Sequence, residues 1–164
     1  MLEGSELDLA LVALESELGD LEVAPLFRDP FVLAVSPRHP LAERRSVEPL
    51  DLEGQDVLLL DDGHCLRQQT SVICDAAGAC ELGDFRATSL ATLVQMVATG
   101  VGVTLIPEMS IDGESSFTRD VAIVPFDPPG PGRTVALAWR RSTPHGERFA
   151  ELGAVLVPER AAAG

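Results

Sequence analysis

The chain has 164 residues, which is enough for one compact domain or two small lobes. Its 26 acidic residues outnumber 12 basic ones, and the resulting net charge of −14 argues against direct binding to nucleic acid or to anionic membranes. Three cysteines, no secretion signal at the first residues and no apolar run of membrane-spanning length predict a cytoplasmic chain whose thiols are reduced at rest.

The first third of the chain predicts three strands and a short helical turn before a fourth strand. Leu7 to Leu14 is a nearly continuous apolar run, which suits a strand buried on both faces. Leu21 to Phe27 and Phe31 to Val35 indicate two more strands. Leu50 to Gly54 is predicted as a helical turn and Asp56 to Leu60 as a strand.

A helix is predicted to begin at Cys65, shortly after that strand. No proline or glycine interrupts the chain between Gly63 and Gly78, and helix-favouring residues fill the segment. Cys65 and Cys74 would then have Cα atoms about 13 Å apart and side chains on opposite helix faces. A disulfide needs Cα atoms within about 7 Å, so that bonding these cysteines would have to unwind the helix, as a redox switch requires.

The charges around Cys65 act on its thiolate in both directions. The helix N-terminus, the neighbouring His64 and Arg67 in the first turn favour the thiolate, which is the reactive form. Asp61 and Asp62 disfavour it, and the sequence leaves the balance open. Both cysteines also fit an ordinary role as small buried residues, which is the more common one. The cysteine spacing does not match structural zinc sites, so we expect no metal and no cofactor.

The remaining segments continue the alternation of strands and helices, which predicts an α/β fold. Thr88 and Ser89 can cap a helix that begins at Leu90, and a helix start of this kind could also hold a small anion. Further predictions are a strand at Val103 to Ile106, an exposed loop at Asp112 to Asp120, a crossover at Pro125 to Gly132, a strand at Thr134 to Trp139 and a helix at Pro144 to Leu156.

Two motifs carry a resemblance to a known family. The run Gly63-His64-Cys65-Leu66-Arg67, with a second cysteine at position 74, resembles the regulatory domain of OxyR-type hydrogen-peroxide sensors. These sensors belong to the LysR-type transcriptional regulators. Gly100-Val101-Gly102, followed by Pro107, is similar to a marker that LysR-type effector domains share. The resemblance extends from Leu2 to about Phe149.

The resemblance implies a site and an activity. It implies that peroxide oxidises Cys65, that Cys74 then forms a disulfide with it, and that the Cys65–Cys74 bond switches the conformation. By resemblance, His64 corresponds to the residue that positions peroxide and Arg133 to the arginine that favours the reactive thiolate, in addition to the support expected from Arg67 in the first turn. The implied product is a transcriptional signal rather than enzymatic turnover.

The resemblance also implies an architecture. We expect a two-lobed, periplasmic-binding-protein-like domain of the LysR substrate-binding type, with residues 1–29 and 133–164 in an incomplete first lobe and residues 30–132 in a second lobe that carries the cysteines. Homo-oligomers would form through this domain. DNA would be bound only through a helix-turn-helix segment, which we expect to be absent from this chain, and no membrane partner is expected.

One alternative function has no redox role. An effector-binding domain of the same family would hold a small anionic metabolite between its lobes, with Thr88 and Ser89 as the candidate contacts. Loss of Cys65 would abolish the response of a peroxide sensor but leave metabolite binding intact. A thiol peroxidase is a weaker prediction, because no peroxiredoxin-like motif precedes Cys65.

Overall fold

The protein is described by a computed structural model over residues 7–14, 19–61, 65–111 and 118–156. It is a mixed α/β structure, as predicted. The strands are β1 (Leu9–Ala13), β2 (Leu21–Val35), β3 (Asp56–Leu60), β4 (Cys80–Ala87), β5 (Thr104–Pro107), β6 (Ala122–Pro125) and β7 (Gly132–Arg140). The α-helices are α1 (Cys65–Ala77), α2 (Leu90–Ala98) and α3 (Gly146–Leu156), and short 3-10 helices span Pro40–Glu43, Pro49–Leu52 and Glu108–Ser110.

The chain divides into two compact units. Unit 1 combines Met1–Asp29 with Arg133–Gly164, and unit 2 is the continuous segment Pro30–Gly132. Strand β2 contributes to both units, because it crosses the boundary after Asp29.

Unit 1 is built around β7, which pairs with β1 in antiparallel register and also with β2. Helix α3 packs closely on these strands, since a Cβ atom added at Gly153 would lie 3.2 Å from the Leu26 side chain. The ring centroids of Trp139 on β7 and Phe149 on α3 are 5.9 Å apart. The indole N–H of Trp139 donates to the Glu22 carboxylate at 2.9 Å, which satisfies the polar atom of a buried aromatic residue.

Unit 2 contains two groups of strands. The second half of β2 lies between β5 and β6 and is antiparallel to both. Strands β3 and β4 pair in parallel. In the chain, β3 precedes and β4 follows helix α1, which carries Cys65 and Cys74. The amide N–H of Leu58 donates to the Val103 carbonyl at 2.8 Å, which links β3 to the residue before β5.

Two hydrophobic clusters fill unit 2, one on each face of β2. Leu33 lies in the cluster that contains Cys74 of α1, whereas Val32 lies in the cluster that contains Leu93 of α2. Because successive side chains of a strand point to opposite faces, α1 and α2 pack on opposite sides of these strands. Cys74 is therefore buried on the side of β2 to which Leu33 points.

Several sequence predictions differ from the structure. The two strands predicted at Leu21 to Phe27 and Phe31 to Val35 are one continuous strand, because Pro30 is accommodated within β2. Strand β1 is not buried on both faces: Leu11 is 56% exposed, and β1 pairs only with β7 among the described strands. Strands β4 and β6 were not predicted. Residues 112–117 of the predicted loop lie outside the described residues.

The other predicted helices and strands are confirmed, with small shifts of their boundaries. Helix α1 begins at Cys65 and β3 spans Asp56–Leu60, both as predicted. Helix α2 begins at Leu90, with Ser89 as its N-cap. Helix α3 begins at Gly146, two residues after the predicted start at Pro144.

Candidate functional site

The candidate site is the helix α1, which carries two free cysteines in contrasting environments. Cys65 is the first helical residue and its side chain is exposed. A helix start presents backbone N–H groups and the positive end of the helix dipole, which attract anions. His64, which was predicted to assist Cys65, lies outside the described residues.

Cys74 lies on the buried face of the same helix. It is 3% exposed and shares this face with Thr70 and Ala77, one turn to either side. Burial raises the pKa of the Cys74 thiol from 9.0 to about 11, and the negative charges of Asp75 and then Glu81 add to the effect. Cys74 is therefore a protonated, sequestered thiol as long as α1 stays folded.

The helix keeps the two sulfur atoms apart. Cys65 and Cys74 are nine residues apart in one unbroken helix, which corresponds to about 13 Å between their Cα atoms. Nine steps of about 100° also place the side chains on opposite faces, in agreement with one exposed and one buried cysteine. A disulfide between them requires Cα atoms within about 7 Å, so that it cannot form while α1 is intact.

Arg67 is held by the strands next to α1. Its guanidinium donates to the backbone carbonyl of Leu60 at 3.0 Å and to the Glu81 carboxylate at 2.6 Å. The arginine side chain is only 17% exposed. The first turn of α1 is thereby tied to the end of β3 and to β4. The expected support of the Cys65 thiolate by Arg67 stays a prediction.

Gln69 is a further feature of this helix, and its sequence position alone does not reveal it. Both polar atoms of its side-chain amide, Nε2 and Oε1, are buried without a hydrogen-bond partner within the described part of the chain. Gln69 follows Cys65 by four residues and therefore lies next to it on the helix surface. Buried amides normally find partners, so this group supplies an available donor and acceptor one turn from the exposed thiol.

The other predicted site residues are in different surroundings. Arg133 belongs to unit 1, where its Nε donates to the Asp29 carboxylate at 2.9 Å. The Ser89 hydroxyl accepts the backbone N–H of Thr92 at 3.2 Å and caps α2, while Thr88 is exposed. The capping role explains Ser89, and anion binding there stays a prediction.

Comparison with known proteins identifies the chain's family. Residues 1–161 match the family model of the LysR substrate binding domain. The chain belongs to this LysR family.

Among the described residues, no three or more His, Cys, Asp or Glu side chains are grouped as metal ligands. None of the described helices is both long and apolar enough to cross a membrane.

Individual relatives show which proteins of the LysR family the chain resembles. The probable hydrogen peroxide-inducible genes activator of Mycobacterium avium is 41% identical over 157 residues, which are 95% of this chain and 50% of that protein. The crystal structure of the reduced form of OxyR is 40% identical with a TM-score of 0.79, covering 93% of this chain and 71% of that one. The oxidised form of OxyR is 41% identical with a TM-score of 0.77, covering 93% and 72% respectively. The chain thus spans about half the length of the Mycobacterium relative.

Proposed function

We propose that this chain is the redox-sensing part of an OxyR-like, LysR-type transcriptional regulator. The observation that carries the proposal is the pair of cysteines in α1, one exposed at the helix start and one buried nine residues later. Similarity to OxyR, of which both a reduced and an oxidised structure match, supports the same assignment.

The first step is the oxidation of Cys65 by hydrogen peroxide. The Cys65 thiolate sulfur attacks one peroxide oxygen, the O–O bond breaks, and hydroxide leaves and takes up a proton to form water. Sulfur is oxidised to sulfenic acid while peroxide is reduced by two electrons. Cys65 is suited to this step because it is exposed and lies at a helix N-terminus.

The second step joins the two cysteines. Cys74 loses its proton and its sulfur attacks the Cys65 sulfenic sulfur, so that an S–S bond forms, the S–O bond breaks and the hydroxyl group leaves as water. This step requires α1 to unwind, because the helix separates the two Cα atoms by about 13 Å. The covalent bond would then hold unit 2 in a second conformation, which is the regulatory signal.

Three side chains are proposed to assist the first step. The Gln69 amide, buried without a partner and one turn from Cys65, would donate to and accept from the small polar oxidant. His64 and Arg133 are assigned to the positioning of peroxide and to the stabilisation of the thiolate by resemblance to the sensor family. Within unit 1, Arg133 is paired with Asp29.

The properties of the whole regulator follow from the same proposal. One oxidant is consumed for each switching event, so the chain is a sensor and not an enzyme. DNA contact is assigned to a helix-turn-helix segment of the regulator, because the net charge of these residues is −14. Oligomers would form through the regulatory domain, and a cytoplasmic location would keep both thiols reduced at rest.

The proposal is tested by oxidising the reduced chain with one equivalent of hydrogen peroxide. Mass spectrometry should find a disulfide that joins Cys65 to Cys74, and hydrogen exchange over residues 66–74 should rise as α1 unwinds. The variant Cys74→Ala should stop at a Cys65 sulfenic acid, which dimedone traps. Cys65→Ala should form neither product.

Two outcomes would contradict the proposal. If Cys65 reacts no faster than an unstructured thiol peptide, the site does not activate it for peroxide. If Cys65→Ala leaves the response intact and a small acid stabilises the protein against heat, the chain is an effector-binding domain without a redox role, and Thr88 and Ser89 become the residues to test.

A further inference from the structure

Glu81 makes a contact with the redox helix that its sequence position does not suggest. It lies on β4 and accepts a hydrogen bond from Arg67 in the first turn of α1, with 2.6 Å between Oε1 and the guanidinium nitrogen. The other terminal nitrogen of Arg67 donates to the carbonyl of Leu60, the last residue of β3. Arg67 belongs to helix α1 and is also hydrogen-bonded to residues of β3 and β4.

This fastening bears on the second step of the proposed mechanism. Arg67 lies inside the segment between Cys65 and Cys74, and that whole segment must leave helical geometry before the sulfur atoms can meet. A restraint on Arg67 therefore stabilises the starting conformation and not the unwound one. Exposure of the two side chains is 17% for Arg67 and 35% for Glu81, so that water screens this ion pair only in part.

We propose that Glu81 is a positioning residue that slows disulfide closure, by holding Arg67 and with it the first turn of α1 against β3 and β4. The inference rests on the proposed function, because closure is the second step of that mechanism. In this assignment Glu81 acts mainly through its ion pair with Arg67 and is not a group that reacts with either sulfur. It sets how long the Cys65 sulfenic acid persists, and so how readily a brief exposure to oxidant becomes a committed switch.

A second observation supports the same direction. The Glu81 carboxylate contributes, after burial and Asp75, to the raised pKa of the Cys74 thiol. Closure needs the Cys74 thiolate, and a negative charge nearby lowers the fraction of the thiol that is deprotonated. The single carboxylate therefore opposes closure by restraining the helix and by disfavouring the attacking nucleophile.

The experiment measures the two steps separately in Glu81→Gln. Peroxide is mixed with the reduced chain, and samples are quenched with dimedone for the sulfenic acid and with acid for the disulfide. Formation of the sulfenic acid should stay within about twofold of wild type, whereas closure should be faster by about three- to fivefold, the scale of one partly exposed ion pair. Glu81→Asp keeps the charge and should return closure toward the wild-type rate.

The control variant is Glu43→Gln, which removes an equal charge from an exposed site in a 3-10 helix remote in sequence from α1. An equal acceleration in this control, or unchanged closure in Glu81→Gln, would overturn the proposal. Slowing of the first step alone would also overturn it, because Glu81 would then act on Cys65.

Hydrogen exchange of the reduced proteins separates this proposal from the function on which it rests. Glu81→Gln should raise exchange over residues 66–74 before any oxidant is added, since the first turn of α1 has lost its restraint. If wild type forms no Cys65–Cys74 disulfide, the proposed function fails, and this comparison alone still decides whether Glu81 restrains α1. Unchanged exchange would show that it does not.

Discussion

The two cysteines of α1 differ because the helix turns them in opposite directions. Cys65 is exposed, and its thiol can meet a dissolved oxidant directly. Cys74 packs in the cluster that contains Leu33 and Ala77, where a thiolate would lose its hydration. One helix thus carries both a solvent-exposed thiol and a buried one, because nine residues turn the second cysteine to the opposite face.

The raised pKa of Cys74 predicts a pH dependence of stability. Burial raises the pKa of this thiol from its ordinary value of 9.0, which applies to the unfolded chain, to about 11 in the folded one. Between these values the unfolded state releases its proton while the folded state keeps it, so that the free energy of unfolding falls as pH rises from about 9 to about 11. Cys74→Ala should flatten this decline in urea titrations between pH 8 and 11.

Cys65→Ala is the matched control for that measurement, because it removes an exposed thiol from the same helix. The control should keep the decline between about pH 9 and pH 11, because Cys74 is still present. An equally steep decline in Cys74→Ala would mean that another group, and not Cys74, carries the dependence.

The buried amide of Gln69 predicts a gain in stability on its removal. Leaving a polar group buried without a partner costs about 1–3 kcal/mol, so that Gln69→Leu should raise the free energy of unfolding by about 1 kcal/mol in urea. The same change should slow the oxidation of Cys65 if the amide handles peroxide. Gln68→Leu, at the exposed neighbouring position, should change stability by less than about 0.5 kcal/mol. A destabilised Gln69→Leu would show that the amide is satisfied in solution.

At the scale of the elements, unit 2 depends on the close approach of β3 to the segment before β5. A Cβ atom added at Gly102 would lie 2.5 Å from the backbone carbonyl oxygen of Asp56. The same carbonyl accepts the N–H of Val103 at 2.9 Å, so the two segments cannot separate without loss of this bond. This contact fixes the strand that leads into α1.

Gly102→Ala is therefore expected to destabilise the protein by about 1–3 kcal/mol, the usual cost of overpacking. Thermal and urea unfolding would measure the loss. Gly83→Ala, at a position on β4 where an added Cβ meets nothing within 4 Å, is the control and should be nearly neutral. If both variants have the same stability as wild type, the close approach is looser in solution than the structure describes.

The elements differ in how far local sequence determines them. Helix α1 was predicted because helix-favouring residues fill a segment without proline or glycine, and strand β3 because it is a short apolar run. Strand β2 was predicted as two strands on either side of residues 28–30, yet it is continuous through Pro30, since a proline fits where a strand does not need its N–H. Strand β4 was missed because Glu81, Gly83 and other polar residues interrupt its apolar pattern, and its pairing with β3 is not local.

The candidate site was predictable to the same extent. The helical spacing of Cys65 and Cys74 follows from sequence, and so do their opposite faces. The contact of Arg67 with Glu81 could not be predicted, because Glu81 lies on the strand that the pattern did not reveal. The unpartnered state of the Gln69 amide depends on which side chains surround it, which only the folded arrangement specifies.

For the whole molecule, the two units differ in how much apolar surface they bury. Among the described residues, the buried apolar side chains of unit 1 are confined to the run from Val135 to Trp139, whereas unit 2 has two clusters. Leu11 and Val155 of unit 1 are 56% and 81% exposed. Because each fully buried large apolar side chain contributes about 1.5–3 kcal/mol, unit 1 should be the less stable of the two.

This difference predicts unfolding in two steps, which two separate probes can follow. The chain has a single tryptophan, Trp139, and it lies in unit 1, so that tryptophan fluorescence reports on that unit alone. Labelling of the buried Cys74, read by mass spectrometry, reports on unit 2. The fluorescence midpoint should come at least about 1 M earlier in urea, because m-values of about 1–3 kcal/mol per molar convert a few kcal/mol into a shift of that size. Coincident midpoints would instead show that both units unfold in one cooperative transition, and the weak burial in unit 1 would then have no separate consequence for its stability.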